Sequence, residues 1–106
     1  MKIYNRHHKK LPPIDAVYVG RPSFFGNPFQ IGRDGSRAEV IAKYRDHLGN
    51  LLETSWDARI ELQILSQANG LICWCHPKPC HAEVIIEFMV KYGYLQSPLQ
   101  QKELFQ

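Results

Sequence analysis

The sequence predicts a small α/β domain in which a short parallel sheet is flanked by about three helices. A length of 106 residues suits one domain and is too short for two ordinary ones. Short apolar runs typical of strands alternate with longer helical patterns, and a strand that returns through helices to another strand favours parallel pairing. We expect residues 1–95 to form this domain and residues 96–106 to form a tail or a short helix.

Composition excludes several classes of protein. Thirteen Lys and Arg against ten Asp and Glu give a net charge of +3, and 44% of the residues are hydrophobic, which rules out disorder along the whole chain. No apolar run approaches the roughly 20 residues of a membrane span, so no membrane partner is expected. The first ten residues lack the apolar stretch of a secretory signal, and three cysteines give no disulfide framework. The expected location is the cytoplasm.

Positive charge is concentrated in the first third of the chain. Residues 1–37 hold seven basic side chains and two acidic ones, whereas the remainder holds six basic and eight acidic. Such an excess favours an anionic ligand, namely a phosphate, a nucleotide or nucleic acid. A solvated basic segment with a few surface arginines would produce the same pattern.

The first third of the chain predicts two short strands and a long loop. Ile3–Tyr4 opens the first strand, and the β-rich run 16–19 forms the second, which Gly20 ends. The following segment, residues 20–35, contains four glycines and two prolines without any period. Loops of this length inside so small a domain are uncommon and usually functional.

The middle of the chain predicts two helices. Ser36 and Glu39 have the spacing of a capping box, and the apolar face that follows consists of Val40, Ile41, Tyr44, Leu48, Leu51 and Leu52. Thr54 or Ser55 caps the second helix, and Asn69–Gly70 ends it. Its expected inward face consists of Ile60, Ile64, Leu65 and Ala68.

A buried strand and a third helix complete the predicted domain. Residues 71–75 are apolar and bounded by Gly70, so they predict the strand, with Trp74 on the opposite sheet face from its neighbouring cysteines. The last helix begins around residues 79–81 and ends at Gly93. Its apolar positions are Val84, Ile85, Phe88, Met89 and Tyr92.

The loop after the second strand is the first candidate binding segment. Arg21 offers a planar charged fork suited to phosphate, and Ser23 and Asn27 add neutral donors. Gly20 and Gly26 would let backbone N–H groups approach a ligand closely. The three phenylalanines of the loop could stack on a base or anchor the loop to the core. Neither a Walker A motif nor a dinucleotide-binding glycine pattern is present.

Residues 73–81 form the second candidate segment, and zinc has to be considered there. Cys73, Cys75, Cys80 and His81 supply four potential zinc ligands. However, two side chains two residues apart on a strand lie roughly 7 Å apart. Zinc–sulfur bonds of about 2.3 Å require the two sulfurs to lie within about 4 Å of each other. Zinc is therefore possible but not favoured.

The favoured interpretation of this segment needs no metal. Cys80 begins a helix whose dipole stabilises a thiolate, with Lys78 and His81 nearby, so Cys80 and His81 are the candidate catalytic residues. Alternatively, the helix N-terminus holds an anion with Lys78 and His81 as partners, or Cys80 is an inert neighbour of the helix cap.

Together these segments resemble one family. The residues are VYVGRPS at 17–23, GNPF at 26–29, DGSR at 34–37, and Cys73-Trp74-Cys75, Pro77 and Pro79-Cys80-His81 within 73–81. They resemble domain of unknown function family 4326, and the likeness covers about residues 2 to 92. The resemblance implies a small bacterial or bacteriophage protein of the cytoplasm and implies no particular reaction.

The two candidate segments follow two strands, and parallel strands would bring both to the carboxyl edge of the sheet, where α/β proteins bind ligands. We therefore expect a pocket for a nucleotide-like or other phosphorylated small molecule, with cleavage or transfer as a further step. One alternative is sequestration of a nucleotide signal by a phage protein without catalysis. Another is a nucleic-acid-binding module with a zinc-stapled loop. A homodimer that completes the sheet or the pocket is also compatible with the sequence.

Overall fold

A computed structural model of the chain describes residues 1–6, 12–74 and 78–96. Cys75, one of the four potential zinc ligands, lies outside the described residues, and so does the predicted tail beyond Gln96. The elements in chain order are β1 (Ile3–Asn5), β2 (Val17–Tyr18), α1 (Arg37–Thr54), α2 (Trp56–Leu65), β3 (Leu71–Cys73) and α3 (His81–Lys91).

The three strands form a parallel sheet in the order β1-β3-β2, which confirms the predicted α/β class. Leu71 of the central strand pairs with Ile3 on one side and with Val17 on the other. Both outer strands therefore run in register with β3, and all three carboxyl ends lie at one edge. Strand β1 extends one residue beyond the predicted Ile3–Tyr4, whereas β2 and β3 are shorter than predicted, and β3 ends at Cys73.

Helix α1 begins where its capping signal predicts. The Glu39 backbone N–H donates to Ser36 Oγ at 3.3 Å, and the Ser36 N–H donates to Glu39 Oε1 at 3.0 Å, so the predicted capping box is present. The fully buried stripe behind it consists of Val40, Tyr44, Leu48 and Leu52, with Ile41 and Leu51 partly buried beside it. The Tyr44 hydroxyl donates to the Phe25 carbonyl at 2.6 Å, which fastens the long loop to the helix.

The predicted inward face of α2 is wrong at two positions. Ile60 and Ile64 are 41% and 61% exposed, and the helix ends at Leu65 rather than at Asn69. The buried positions are Ala58, Leu62 and Leu65. This helix carries two apolar stripes, and the one that contains Ala58 and Leu62 packs inward. Periodicity alone does not distinguish the two stripes.

Helix α3 supplies much of the core. Val84, Ile85, Phe88 and Met89 are buried as predicted, whereas Tyr92 is half-buried. The helix packs against α1, α2 and β3. Among the residues that the structure describes, no helix is long and apolar enough to cross a membrane.

The two stripes of α2 should respond differently to truncation. We expect Leu62→Ala to lower the free energy of unfolding by about 2–5 kcal/mol, because it opens a cavity in the core. Ile64→Ala should change it by no more than about 0.5 kcal/mol, because that side chain is largely exposed. Urea denaturation of both variants measures the difference. Equal losses would contradict the assignment and would indicate that the Ile64 stripe is covered in solution.

Candidate functional site

A cleft opens at the carboxyl edge of the sheet, where the two predicted segments meet. Its walls come from the loop after β2, the first turn of α1 and the residues around the start of α3. The polar side chains lining it are Arg21, Asn27, Arg37, Cys80 and His81, and the apolar ones include Phe29, Ile31, Ile41 and Trp74. Its cavity volume is about 160 Å³. The sequence thus predicted the convergence of both segments.

The loop is shaped by close backbone contacts. A Cβ at Gly20 would collide with the Tyr18 hydroxyl, and a Cβ at Gly26 would lie 3.0 Å from Arg21 Cα. Asn27 fastens the loop to α1, because its Nδ2 donates to the Val40 carbonyl at 3.3 Å and its Oδ1 accepts from the Phe29 N–H at 2.9 Å. Gly20 and Asn27 line the cleft, whereas Gly26 acts in the turn behind it.

Two arginines line the cleft. Arg21 is exposed, and its guanidinium makes no hydrogen bond or ion pair with any part of the chain that the structure describes. Arg37 is half-buried and donates from Nη1 to the Pro79 carbonyl at 3.2 Å, so it ties the start of α1 to the segment before α3. No Asp or Glu is among the described residues that line the cleft. The lining is therefore cationic.

His81 is held in one tautomer. Its Nε2 lies 2.6 Å from the Val19 carbonyl oxygen, and because a carbonyl only accepts, Nε2 carries the proton. Burial lowers the pKa of His81, the hydrogen bond to Val19 raises it, and the charge of Arg21 lowers it, with a net shift downward. The imidazole is therefore neutral at pH 7, and Nδ1 is the ring nitrogen that can accept a proton.

Cys80 is buried, whereas reactive thiols are usually partly exposed. Its sulfur lies 3.2 Å from the Cys73 sulfur, and both residues are buried. The Cys80 backbone N–H donates to Glu83 Oε2 at 3.1 Å, so a carboxylate already occupies part of the α3 N-terminus. This negative charge opposes both a thiolate at Cys80 and an anion bound to that N–H.

The structure brings the sulfurs of two of the four predicted zinc ligands together. The two sulfurs of Cys73 and Cys80 are close enough to share one ion, although His81 Nε2 is engaged by Val19. Within residues 1–6, 12–74 and 78–96, no group of three or more His, Cys, Asp or Glu side chains is placed to hold a metal ion.

Three predicted ligand residues lie away from the cleft, and two cleft residues with polar or aromatic side chains were missed. Gly26 lies in the turn behind the cleft, and Lys78 is exposed outside it. Ser23 lies beside a separate apolar hollow next to β2, and its buried Oγ has no hydrogen-bond partner among the described residues. Arg37 and Trp74 were not predicted as ligand residues. Arg37 follows a helix N-cap, where the helix dipole disfavours a cation, and this conflict could have marked it as functional.

A scan against protein-family models matches residues 3–91 to Domain of unknown function (DUF4326). The chain belongs to the DUF4326 family. No curated protein and no solved structure gives a significant match. The DUF4326 match spans every strand and helix of the fold and all of the residues that line the cleft.

The buried, neutral state of His81 should make stability depend on pH. Since the folded protein holds the pKa of His81 below its ordinary value, the unfolded chain binds this proton first as the pH falls. The free energy of unfolding should therefore decrease as the pH drops below about 6.5, until the folded pKa is reached. Urea titrations between pH 7.5 and 5.5 measure this slope.

His81→Gln is the matched variant, because a glutamine amide keeps a donor for the Val19 carbonyl and does not titrate. It should reduce the slope in this range. The N-terminal amine of Met1, whose pKa is lowered by burial, contributes equally in both chains, and Asp34 and Glu39, whose pKa values are lowered by their hydrogen bonds, contribute only at lower pH. An unchanged slope in His81→Gln would show that His81 is not the group responsible.

Proposed function

We propose that this DUF4326 protein binds a phosphorylated small molecule of the nucleotide type in the cleft at the carboxyl edge of its sheet. The observation that carries the proposal is the pair of arginines, Arg21 and Arg37, in a lining without a carboxylate among the described residues. Guanidinium groups form paired, charge-assisted hydrogen bonds with phosphate oxygens. A cationic cleft is suited to an anion, and the Arg21 guanidinium has no hydrogen-bond or ion-pair partner among the described residues.

The apolar part of the lining supports a ligand larger than inorganic phosphate. Phe29, Ile31, Ile41 and Trp74 share the cleft with the arginines. Small-molecule sites commonly combine an apolar wall with a few polar groups that fix orientation. A nucleotide has both halves, because its phosphate is anionic and its base is flat and largely apolar.

His81 would supply acid–base chemistry if the bound molecule is cleaved or transferred. Neutral imidazole with a proton on Nε2 accepts a proton at Nδ1, which suits a general base acting on a hydroxyl or a water. Cys80 is the candidate nucleophile, although its burial against Cys73 and the nearby Glu83 carboxylate disfavour a thiolate. The observations favour His81 over Cys80.

The proposal includes a cellular setting. The resemblance and the absence of a disulfide framework in the sequence support a bacterial cytoplasm, including that of a phage-infected cell. In that setting, tight binding without product would favour sequestration of a nucleotide signal. Product formed by the wild-type chain and lost in His81→Gln, with binding retained, would favour an enzyme.

Isothermal titration with the four common ribonucleoside 5′-monophosphates tests the proposal. We expect saturable binding, weakened about 10- to 100-fold by Arg21→Ala, because hydrogen bonds to charged groups contribute about 1.5–3 kcal/mol each. Arg37→Ala should weaken binding to a similar extent. Arg45→Ala is the matched control, since Arg45 pairs with Glu87 away from the cleft and should leave affinity within about two-fold.

The same titrations distinguish the nucleic-acid alternative. Affinity for a single-stranded oligonucleotide that falls steeply with salt, together with no binding of mononucleotides, would indicate several phosphate contacts and contradict the proposal. Equal effects of Arg21→Ala and Arg45→Ala would also contradict it, because the cleft would then have no special role.

A further inference from the structure

Three residues at the carboxyl ends of the strands form a cluster of aromatic rings and one cation beside the cleft. Arg6 follows β1, Tyr18 ends β2, and Trp74 follows β3. The Arg6 Cζ lies 4.8 Å from the centre of the Tyr18 ring and 5.3 Å from that of the Trp74 ring. These distances are within the range of cation–π contacts. We refer to Arg6, Tyr18 and Trp74 as the rim cluster.

Trp74 is held in position although its side chain is partly exposed. Its Nε1–H donates to the Tyr18 hydroxyl at 2.6 Å, and Asn5 Nδ2 donates to its carbonyl at 3.3 Å. The Trp74 residue nevertheless remains 46% exposed and lines the cleft. An aromatic ring that is fixed in orientation and accessible to solvent is suited to stack on another flat ring.

A hydrogen-bond chain connects this indole to the arginine that faces the cleft. Trp74 donates to the Tyr18 hydroxyl, which in turn donates to the Arg21 carbonyl at 2.8 Å. The indole and the Arg21 backbone are therefore positioned relative to each other.

An exposed aromatic ring lines the cleft together with its two arginines. Trp74 is the exposed aromatic side chain among the described residues that line the cleft.

We infer that the rim cluster is the base-binding subsite of the cleft, with Trp74 stacking on the base of a nucleoside 5′-monophosphate. This inference rests on the proposed function and assigns the residues that bind the base of the nucleotide. Arg6 contributes positive charge at the same rim. Because every base has a π face, stacking on Trp74 binds the base without selecting its identity.

The experiment compares each ribonucleoside 5′-monophosphate with ribose 5-phosphate, which lacks the base, by isothermal titration. The wild-type chain should bind the nucleotides about ten-fold or more tightly than the sugar phosphate. Trp74→Ala should remove this preference while leaving the affinity for ribose 5-phosphate unchanged. Trp74→Phe keeps a flat ring and should retain most of the preference. Unchanged binding of the sugar phosphate also demonstrates that Trp74→Ala is folded.

Fluorescence provides a second measurement, because the chain has two tryptophans, Trp56 and Trp74. Trp56 lies on α2, is 77% exposed and is not part of the cleft lining. In Trp56→Phe, nucleotide should quench the emission of Trp74, whereas in Trp74→Phe the same nucleotide should leave the emission of Trp56 unchanged. Nucleotide binding without quenching in Trp56→Phe would overturn the inference.

The outcomes separate the two proposals. Equal affinity for the nucleotides and ribose 5-phosphate, unaffected by Trp74→Ala, would overturn the base subsite and leave the phosphate site standing. Binding of neither class of ligand by the wild-type chain would overturn the proposed function and the subsite together.

Discussion

The pairing of both outer strands with the central strand β3 is the constraint on which the site depends. Leu71 pairs with Ile3 and with Val17, so the residues that follow the three strands emerge side by side. Parallel direction is necessary for this arrangement, because antiparallel pairing would send alternate loops to opposite ends of the sheet. The rim cluster and the cleft are both consequences of that register. The strands themselves are only two or three residues long, so the helices provide most of the buried apolar surface.

The sequence predicted those features of the fold that depend on local chemistry. The capping box at Ser36 and Glu39 located the start of α1, because its two reciprocal hydrogen bonds require that spacing. The inward stripe of α2 was not predictable, since Leu62 and Ile64 have similar hydrophobicity and only tertiary packing selects between them. The position of Trp74 in the cleft was not predicted. Strand alternation concerns the two faces of the sheet, whereas the cleft lies at the carboxyl edge, where the indole donates to Tyr18.

The candidate site was predictable to the extent that it follows from topology. Two strands, each followed by an unusual segment, implied one shared edge, and Arg21 and His81 meet there. Arg37 could not be predicted in this way, because its hydrogen bond to the Pro79 carbonyl joins residues 42 positions apart. Ser23 shows the converse limit. Its residue type suits ligand binding, but Ser23 lines a separate hollow together with Val19 and Phe25.

The hydrogen bond between His81 and Val19 both holds the two cleft segments together and fixes the tautomer of His81. It links the end of one strand to the first residue of α3, and thereby closes the gap between the two segments that form the cleft. The same bond assigns the proton to Nε2 and leaves Nδ1 as the acceptor, while Tyr44 packs edge-on against the ring at 5.2 Å. Cys80, one residue earlier, has other partners. Its N–H donates to Glu83 Oε2, and its sulfur lies 3.2 Å from the Cys73 sulfur. A thiolate at Cys80 would have to form beside a carboxylate, whereas neutral His81 already has an unprotonated Nδ1 and becomes an imidazolium when it accepts a proton. The carboxylate at the start of α3 thus disfavours a Cys80 thiolate, and burial keeps His81 neutral.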